Sequence, residues 1–375
     1  RGGGRASVPD EQTLAQSRAT AGCPKKMQYG PCGGVNHDGR CEVAEHPCTF
    51  LEIPTVRWHG SPPADPAPAT MRADATGRTA PPAAATVMRE RIAAGPIIVA
   101  DFPATALDAA SLHECATILA PSVDAVLAGD SGTARVQFPP AYRAALLRDA
   151  GVTPWMGVNA RDRNRVALEA EAAALAHADA AGVHCITGDH TRVGSRPDAA
   201  PVFDLDSTAL AALMADHGHV VSVAEAPLSP PLQERPARLR EKQRAGAELC
   251  FVNHAGGAAP VARFIQAAQT LGVTMGFIPC VPVIVDAGSA ALLRGFTSLA
   301  LPVGYLDAIL AAPDVREAGI EAAVDLAERM LAIPGVVGVD LSGGPAAGAE
   351  ADFARAEAEI ASRLRARLTR DAARP

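Results

Sequence analysis

Four cysteines near the amino-terminal end of the sequence have the number and spacing of metal ligands. Cys23, Cys32, Cys41 and Cys48 stand within one short segment, whereas the other four cysteines are scattered along the chain. Four thiolates bind a [4Fe–4S] cluster or one zinc ion, and the same residues could instead close two disulfide bonds. Disulfides are disfavoured because no secretory signal is visible and cytosolic thiols stay reduced. The sequence therefore predicts a metal site with four cysteine ligands.

The cysteine spacing indicates a metal site more clearly than it indicates which metal is bound. No C-x2-C pair, the usual mark of a zinc knuckle, occurs among these four cysteines. Gly33 and Gly34 follow Cys32 and allow backbone N–H groups to approach cluster sulfurs. We therefore expect a [4Fe–4S] cluster, with zinc as the alternative. The other cysteines are expected to be small buried core residues: Cys115, Cys185, Cys250 and Cys280.

Acidic and amide side chains stand after many of the short apolar runs in the rest of the sequence. In a parallel α/β barrel, functional groups lie at the carboxyl ends of the strands, so these residues are expected to line a binding mouth. Asp and Asn also favour the first position of a following helix, so each is equally well explained as a helix cap. The residues at these positions are Asp101, Asp130, Asn159, Asp189, Glu225, Asn253, Pro279, Asp340 and Ser342.

Short β-branched runs alternate with helical stretches from about residue 87 onward. The runs predicted as strands are 96–102, 122–128, 153–159, 182–187, 219–225, 247–253, 273–279 and 335–341. The helical stretches between them include 107–120, 162–180, 237–246, 258–271 and 314–332. Eight strand–helix units predict an α/β fold, the (β/α)8 TIM barrel. A doubly wound open sheet is disfavoured because no GxGxxG motif follows the first strand.

Four segments of different composition divide the 375 residues. Residues 1–20 are predicted to be a disordered tail, 21–59 the metal-binding module, 60–86 a Pro/Ala-rich linker and 87–370 the barrel. The net charge of −7 favours neither nucleic acid nor an anionic membrane surface as a partner. No apolar run is long enough to span a membrane, and we expect a cytoplasmic protein.

Two parts of the sequence resemble one enzyme family. The string CPKKMQYGPCGGVNHDGRCEVAEHPC is similar to the cysteine-rich module found with some bacterial methylenetetrahydrofolate reductases. There the module is a fused segment or a partner subunit and is associated with metal or iron–sulfur binding. The barrel resembles the reductase itself at residues 161–164, 186–189, 202–207 and 276–279. The resemblance implies a methylenetetrahydrofolate reductase-like oxidoreductase of one-carbon metabolism.

The resemblance also implies cofactors and roles for particular residues. In the family, a nicotinamide cofactor reduces FAD, which passes hydride to methylenetetrahydrofolate, so a flavin-binding barrel and a tetrahydrofolate derivative as substrate are expected. Asp189 inherits a place near flavin and pterin, Lys242 a contact to the flavin phosphate, and Asn253 the place of a folate-contacting Gln. The residues expected to bind the cofactor are Asn159, Thr187, Gly188, Asp189 and Lys242.

The first strand departs from the family at the position of its catalytic acid. The family carries a Glu three residues before a Pro, and that position is Ala100 here. Asp101 is adjacent, but strand side chains alternate between two faces, so Asp101 replaces the acid only where the strand twists or bulges. His254 is the other candidate. Aromatic and His residues of the family near the fifth strand are replaced by Ala226 and Pro230.

Three functions remain open from the sequence. The first is a reductase in which Asp101, Asp189 and Asn253 are the catalytic residues. The second is a folate-dependent methyl or methylene transferase, or a specialised-pathway redox enzyme, which would keep the pterin site without the original acid. The third is a non-catalytic barrel that acts as a partner protein through its cysteine module. An electron-transfer or other partner subunit and homo-oligomerisation are also left open.

Overall fold

Eight parallel strands close into a barrel in the computed structural model, which describes residues 11–60, 81–130, 134–295 and 299–372. Each strand pairs with the next along the chain, and the eighth pairs with the first. The strands are β1 (Ile97–Asp101), β2 (Ala125–Ala128), β3 (Pro154–Asn159), β4 (Gly182–Ile186), β5 (Val221–Glu225), β6 (Leu249–Val252), β7 (Gly276–Pro282) and β8 (Gly338–Ser342). The predicted (β/α)8 barrel is confirmed, and every predicted strand is present with slightly different ends.

Helices surround the barrel and include the predicted helical stretches. Among the described residues they are α1 (Glu11–Gly22), α2 (Ala83–Ala94), α3 (Ala109–Leu119), α4 (Pro140–Asp149), α5 (Arg165–His177), α6 (Ser207–Asp216), α7 (Arg235–Arg244), α8 (Ala258–Thr270), α9 (Ala287–Arg294), α10 (Tyr305–Leu310), α11 (Val315–Leu331) and α12 (Glu350–Ala372). A short 3-10 helix at Leu232–Glu234 precedes α7. None of the described helices is both long enough and apolar enough to cross a membrane.

Side chains of each strand alternate between the barrel interior and the surrounding helices, as a pleated strand requires. In β1, Ile97 and Val99 pack inside the barrel together with Met88 of α2. Ile98 and Ala100 point the other way and pack against the helices. Apolar side chains therefore fill the lower barrel, and α2 packs against them at the amino-terminal end. The polar residues are left for the carboxyl-terminal end.

The amino-terminal segment differs from the predicted disordered tail at 1–20. Part of this tail belongs to α1, which buries Ala19 against Met27 and Phe50 of the cysteine-rich module. The Thr49 hydroxyl also donates to the carbonyl oxygen of Ala19 at 2.9 Å. A short helix is marginal by itself in water, so these tertiary contacts explain a helix that the composition alone did not predict.

Parts of the predicted tail and of the predicted linker lie outside the described residues. These are 1–10 of the predicted tail and 61–80 of the predicted linker. The barrel part of the chain begins at α2, a few residues before the predicted boundary at 87. It begins early because α2 is needed to cover the apolar lower end of the barrel.

Candidate functional site

The carboxyl ends of the strands enclose a cavity of about 620 Å³. This volume lies within the range of about 300–1,000 Å³ that is typical of small-molecule sites. Most of the strand-end residues expected at the mouth line this cavity. They are Asp101, Asp130, Asp189, Glu225, Asn253, Asp340 and Ser342. The structure thus brings together the three predicted catalytic residues and places Thr187, Gly188 and Lys242 in the same wall.

Two of the strand-end residues do not line the cavity. Asn159 is buried, and its side-chain amide donates to both carboxylate oxygens of Asp130 at 3.0 Å. Pro279 lies inside β7 rather than at its end, because pairing with β8 continues from Cys280 to Pro282. Cys280 faces the cavity in its place. Asn159 therefore orients Asp130, and Pro279 has only a structural position in the strand.

Asp101 faces the cavity without any bulge in β1. The strand pairs regularly with β2 from Val99 to Asp101, and the alternation that turns Ala100 toward the helices turns Asp101 inward. The expectation that Asp101 needs a twist or bulge to reach the site is therefore wrong. The Ser342 hydroxyl and the Gly343 N–H donate to Asp101 Oδ2 at 2.9 and 3.1 Å.

His254 has no place in the cavity wall. It is buried outside the lining, and its Nε2 has no hydrogen-bond partner among the described residues. Burial lowers the pKa of its imidazole to about 4. A neutral, enclosed imidazole does not donate protons to a cavity ligand, so of the two candidates for the missing acid only Asp101 stands in the site.

The loop after β4 holds Asp189 at the rim of the cavity. Its side chain is 59% exposed and accepts a hydrogen bond from Arg135 Nη2 at 3.1 Å. Gly188 has a φ of +87°, and a Cβ at this position would lie 3.0 Å from the Cβ of Asn159. Only glycine fits this turn comfortably, because other residues are strained at positive φ and a side chain would crowd Asn159. The turn therefore places the Asp189 carboxylate at the solvent-facing rim of the cavity and not at the barrel floor.

A buried ion-pair cluster lies on the β5 side of the cavity. The Glu225 carboxylate accepts from Lys242 Nζ at 2.8 Å and from Arg235 Nη1 at 3.2 Å. Lys242 also donates to the carbonyl oxygen of Ala224 at 2.5 Å. Burial raises the pKa of the Glu225 carboxyl, but Lys242 and Arg235 outweigh burial and bring that pKa down to about 2. Lys242 is therefore already paired with a protein carboxylate.

The cysteine-rich module docks on this ion-pair cluster. Arg235 donates to the carbonyl oxygens of Cys32 at 3.0 Å and of Pro230 at 2.6 Å. The Ser229 hydroxyl donates to the carbonyl oxygen of Val35 at 3.0 Å. One guanidinium group therefore joins the module backbone, the loop after β5 and the Glu225 carboxylate.

A second contact joins the module to the loop after β4. Lys25 and Glu42 form an ion pair within the module, and both residues line the cavity. The Glu42 carboxylate also accepts the backbone N–H of His190 at 3.2 Å. Gly33 and Gly34 complete the part of the cavity wall that the module contributes. The cavity is therefore built by two parts of the chain that are distant in sequence.

The four module cysteines surround one small space. All four are free, partly buried thiols, and they line a cavity of about 20 Å³ together with Met27 and Phe50. Burial, with smaller contributions from the neighbouring cysteines, raises the pKa of the Cys48 thiol to about 11 and also raises the pKa of the Cys23 thiol. No disulfide joins any of the eight cysteines, all of which lie in described residues.

The two candidate metals differ in the sulfur geometry that they require. Among the described residues, no three His, Cys, Asp or Glu side chains are close enough together to hold a single metal ion. Tetrahedral zinc with Zn–S bonds of about 2.3 Å requires sulfurs roughly 3.8 Å apart. A [4Fe–4S] cluster accepts a wider set, because each thiolate binds a different iron. The two candidate metals therefore place different demands on the separation of the four sulfurs.

Comparisons with known proteins give a family match for the amino-terminal segment and distant structural likenesses for most of the chain. A family model described as "Methylene-tetrahydrofolate reductase C terminal" matches residues 12–58. No curated protein sequence matches the chain. Among solved structures, 2,3-dimethylmalate lyase, a PEP mutase/isocitrate lyase superfamily member, superposes with a TM-score of 0.45 and 13% identity over 77% of this chain and 87% of that one. Oxaloacetate acetylhydrolase with its product oxalate gives 0.44 and 12%, over 70% and 81%.

The structural likenesses are too distant to indicate an activity. What the fold and the family model define is a class: an eight-stranded parallel α/β barrel that carries an amino-terminal segment similar to a methylenetetrahydrofolate reductase region.

Several residues of the site do not stand out in the amino-acid sequence. Lys25, Glu42 and Arg238 line the cavity, and Arg235 supports it from behind. A partial signal is present in α7, where Arg235, Arg238 and Lys242 recur at intervals of three and four and so share one helix face. A run of basic residues on a helix more often marks a solvated surface, whereas here β5 and the docked module together cover this face.

A Gly34→Ala variant is expected to loosen the module. A Cβ at Gly34 would lie 1.6 Å from Glu42 Oε2, so the carboxylate must leave Lys25 and the His190 N–H. Hydrogen exchange of the module amides should become faster while that of the barrel strands stays unchanged. Gly129→Ala is the matched control, because a Cβ there meets nothing within 4 Å. Equal module exchange in the two variants would contradict a docking role for Glu42.

Proposed function

We propose that this barrel is a folate-linked one-carbon enzyme of the reductase type, with a [4Fe–4S] cluster held at its mouth by Cys23, Cys32, Cys41 and Cys48. The observation that carries the proposal is the double position of Cys32, which lines both the small cysteine cavity and the barrel cavity. A cluster bound by Cys32 would therefore lie beside a ligand in the barrel cavity. When bound, such a cluster exchanges single electrons with a neighbouring group.

The protein backbone supports this position of the module. The Cys32 carbonyl oxygen is fixed by Arg235, and Gly33 and Gly34, which follow Cys32, contribute wall to the barrel cavity. The Lys25 ammonium lies between the two cavities and lines both. Because the contacts are made by backbone atoms and buried ion pairs, the module is held in one orientation over the cavity rather than loosely tethered.

A reduced folate is the ligand class that fits the chemistry of the cavity. The family model over residues 12–58 supports a folate-related link, and the cavity volume suits one ligand of this size. Arg238 is buried in the wall, and its Nη1 has no hydrogen-bond partner among the described residues. Lys25 and Arg135 also line the cavity but are already paired with Glu42 and Asp189, so Arg238 is the lining cation suited to a carboxylate of a folate tail.

The residues that the resemblance assigns to FAD do not fit a flavin phosphate. Lys242 is neutralised by Glu225, and the Glu225 carboxylate would repel a phosphate placed beside it. Asn159 is bound to Asp130 behind the cavity surface. A Cβ on Gly33 of the module would lie only 3.7 Å from Ala226, where the family has an aromatic residue. The module therefore lies next to the part of the cavity wall where the family resemblance places flavin contacts.

The same mismatch favours a second candidate function. A folate-dependent methyl or methylene transferase, or a specialised-pathway redox enzyme, needs a pterin site with an acid but no flavin phosphate site. The cavity offers the carboxyl groups of Asp101 and Asp340 on one side and the amide of Asn253 on another. The visible spectrum of anaerobically purified protein separates the candidates, because bound flavin gives two resolved bands and an iron–sulfur cluster a broad one.

Binding of tetrahydrofolate derivatives tests the ligand class. In an Asp189→Ala variant, a ligand group that hydrogen-bonds to the carboxylate loses its partner, so affinity should fall roughly 5- to 100-fold, or about 1–3 kcal/mol. Isothermal titration calorimetry measures the dissociation constants. Asp198→Ala is the matched control, since Asp198 is 65% exposed in the same loop and pairs only with Arg196 in the described contacts. Equal affinity of wild type and Asp189→Ala would contradict a pterin contact.

A further inference from the structure

Two carboxyl groups stand together at the floor of the cavity. Asp101 is at the end of β1, and Asp340 lies on the neighbouring strand β8, where it pairs with Val99. Both side chains line the cavity, and Asp340 is only 1% exposed. Ser342, two residues beyond Asp340 on the same face of β8, reaches across to Asp101. The pair therefore occupies adjacent positions on one inner face of the barrel.

The two carboxyl groups have different hydrogen-bond environments. Asp101 Oδ2 receives two donors, the Ser342 hydroxyl and the Gly343 N–H. Such donors stabilise the ionised form of a carboxyl group. Asp340 Oδ2 has the Cys280 thiol at 3.5 Å, and Asp340 Oδ1 has no hydrogen-bond partner in the described residues. A buried carboxylate without partners is costly, so Asp340 is more stable as the neutral acid.

We propose that Asp101 and Asp340 form one acidic subsite that holds a single proton, mainly on Asp340, and donates it to a basic nitrogen of the ligand in the cavity. The unpartnered Oδ1 leaves Asp340 without a donor that would stabilise its negative charge, so the carboxyl group keeps the proton, and the Asp340 side chain lines the cavity that the ligand occupies. Asp101, kept ionised by Ser342 and Gly343, provides the negative charge that attracts the protonated nitrogen. The position of the family's acid is Ala100, so Asp340 is an acid from a different strand.

The electrostatic surroundings agree with this assignment. Burial raises the pKa of the Asp101 carboxyl to about 6, and burial together with the charge of Asp101 raises the pKa of Asp340 well above its usual range. Cys280, from β7, has a thiol whose pKa is raised by burial and by both aspartates, so it stays neutral. Glu357 of α12 also has a raised pKa, from burial and the two aspartates. It lies outside the cavity lining.

Cations are present on the opposite side of the cavity and do not reach the pair. Lys25 pairs with Glu42, and Lys242 pairs with Glu225. Neither Asp101 nor Asp340 takes part in an ion pair among the described residues. The cavity thus has a cationic side and an acidic floor, which suits a ligand with an anionic tail and a basic ring nitrogen.

The proton transfer balances without any further reactant. The O–H bond of Asp340 breaks, an N–H bond forms from the lone pair of the ligand nitrogen, and the resulting cation lies beside two carboxylates. Water restores the proton to the pair after the ligand leaves. The choice of ligand rests on the proposed function, because reduced folates carry basic ring nitrogens, whereas the protonated state of the empty pair does not depend on it.

Infrared spectroscopy of the ligand-free protein tests the proton. Protonated carboxyl groups give an infrared band that is separate from the bands of carboxylates. At pH ~7.5, Asp340 and Glu357 should supply most of this protonated-carboxyl band because their pKa values are raised. Asp340→Asn should remove about half of the band, and Glu357→Gln should remove the other half. In Asp101→Asn, which keeps Asp340, the band should persist with its pH midpoint shifted downward, because the neighbouring negative charge is gone. A full band in Asp340→Asn overturns the proposal, as does an unchanged midpoint in Asp101→Asn.

Addition of tetrahydrofolate tests the transfer itself. Saturating ligand should diminish the Asp340 part of the band in wild type and in Glu357→Gln, and an undiminished band with bound ligand overturns the donation. Calorimetry on the same samples reports binding separately. Absence of binding rejects the proposed function, and the ligand-free spectra still decide whether the pair holds its proton.

Discussion

A Cys32→Ser variant is expected to lose most of its iron and its broad visible absorption. A [4Fe–4S] cluster needs four thiolates, and wild-type protein purified without oxygen should therefore contain about four iron atoms per chain. Serine is nearly the same size as cysteine, so the buried contacts of the barrel stay intact and its unfolding transition should persist. Iron analysis, visible absorption and far-ultraviolet circular dichroism measure these effects on one preparation.

A barrel cysteine provides the control for this variant. Cys115 is a free thiol of α3, buried in the core and remote from the module cavity. Cys115→Ser should keep the full iron content. Unchanged iron in Cys32→Ser would contradict the four-thiolate site, whereas about one zinc per chain in wild type would establish the alternative metal.

Glu225→Gln is expected to destabilise the protein by about 3–5 kcal/mol, because it leaves Lys242 and Arg235 buried without their counter-charge. The midpoint of urea unfolding should fall accordingly, and the module amides should exchange faster because Arg235 also holds the Cys32 carbonyl oxygen. Glu248→Gln is the matched control. Its pair with Arg89 is more than one third exposed on both sides and should contribute about 0–1 kcal/mol.

The stabilisation from Glu225 also has a defined pH dependence. The ordinary pKa of its carboxyl, about 4.5, falls to about 2 in the folded protein, so the unfolded chain binds the proton more readily. The contribution is therefore complete above pH ~4.5 and is lost as the pH falls toward 2. In Glu225→Gln this part of the acid dependence should be absent. A variant within about 1 kcal/mol of wild type at neutral pH would contradict the role of the ion-pair cluster.

The barrel could be predicted from the sequence because its signals are local. Runs such as 96–102 are β-branched and apolar, and they recur with helical stretches between them, which is the pattern of a parallel barrel. Alternation along β1 is equally local. Because Ile97 and Val99 face the barrel interior, the alternation of side chains along β1 places Asp101 on the same inner face. The resemblance at Ala100 drew attention to the outward position instead.

The docking of the module could not be predicted in the same way. Arg235 and Cys32 are separated by 203 residues, and no periodicity links a helix to a carbonyl oxygen at that distance. Nor does composition distinguish a buried arginine from a surface one. The sequence pattern predicts that Asp340 is a strand-end residue, but its unpartnered Oδ1 depends on what the neighbouring strands β1 and β7 place around it.

The position of Arg235 has a consequence for inheritance. Its guanidinium group finds acceptors in the module, in the loop after β5 and in the barrel strand at the same time. A shortened gene that encodes the barrel alone would leave part of that buried group without acceptors and would uncover one wall of the cavity. We therefore expect the two parts to be inherited as one unit and recombination between them to be tolerated only where α7 changes with the module.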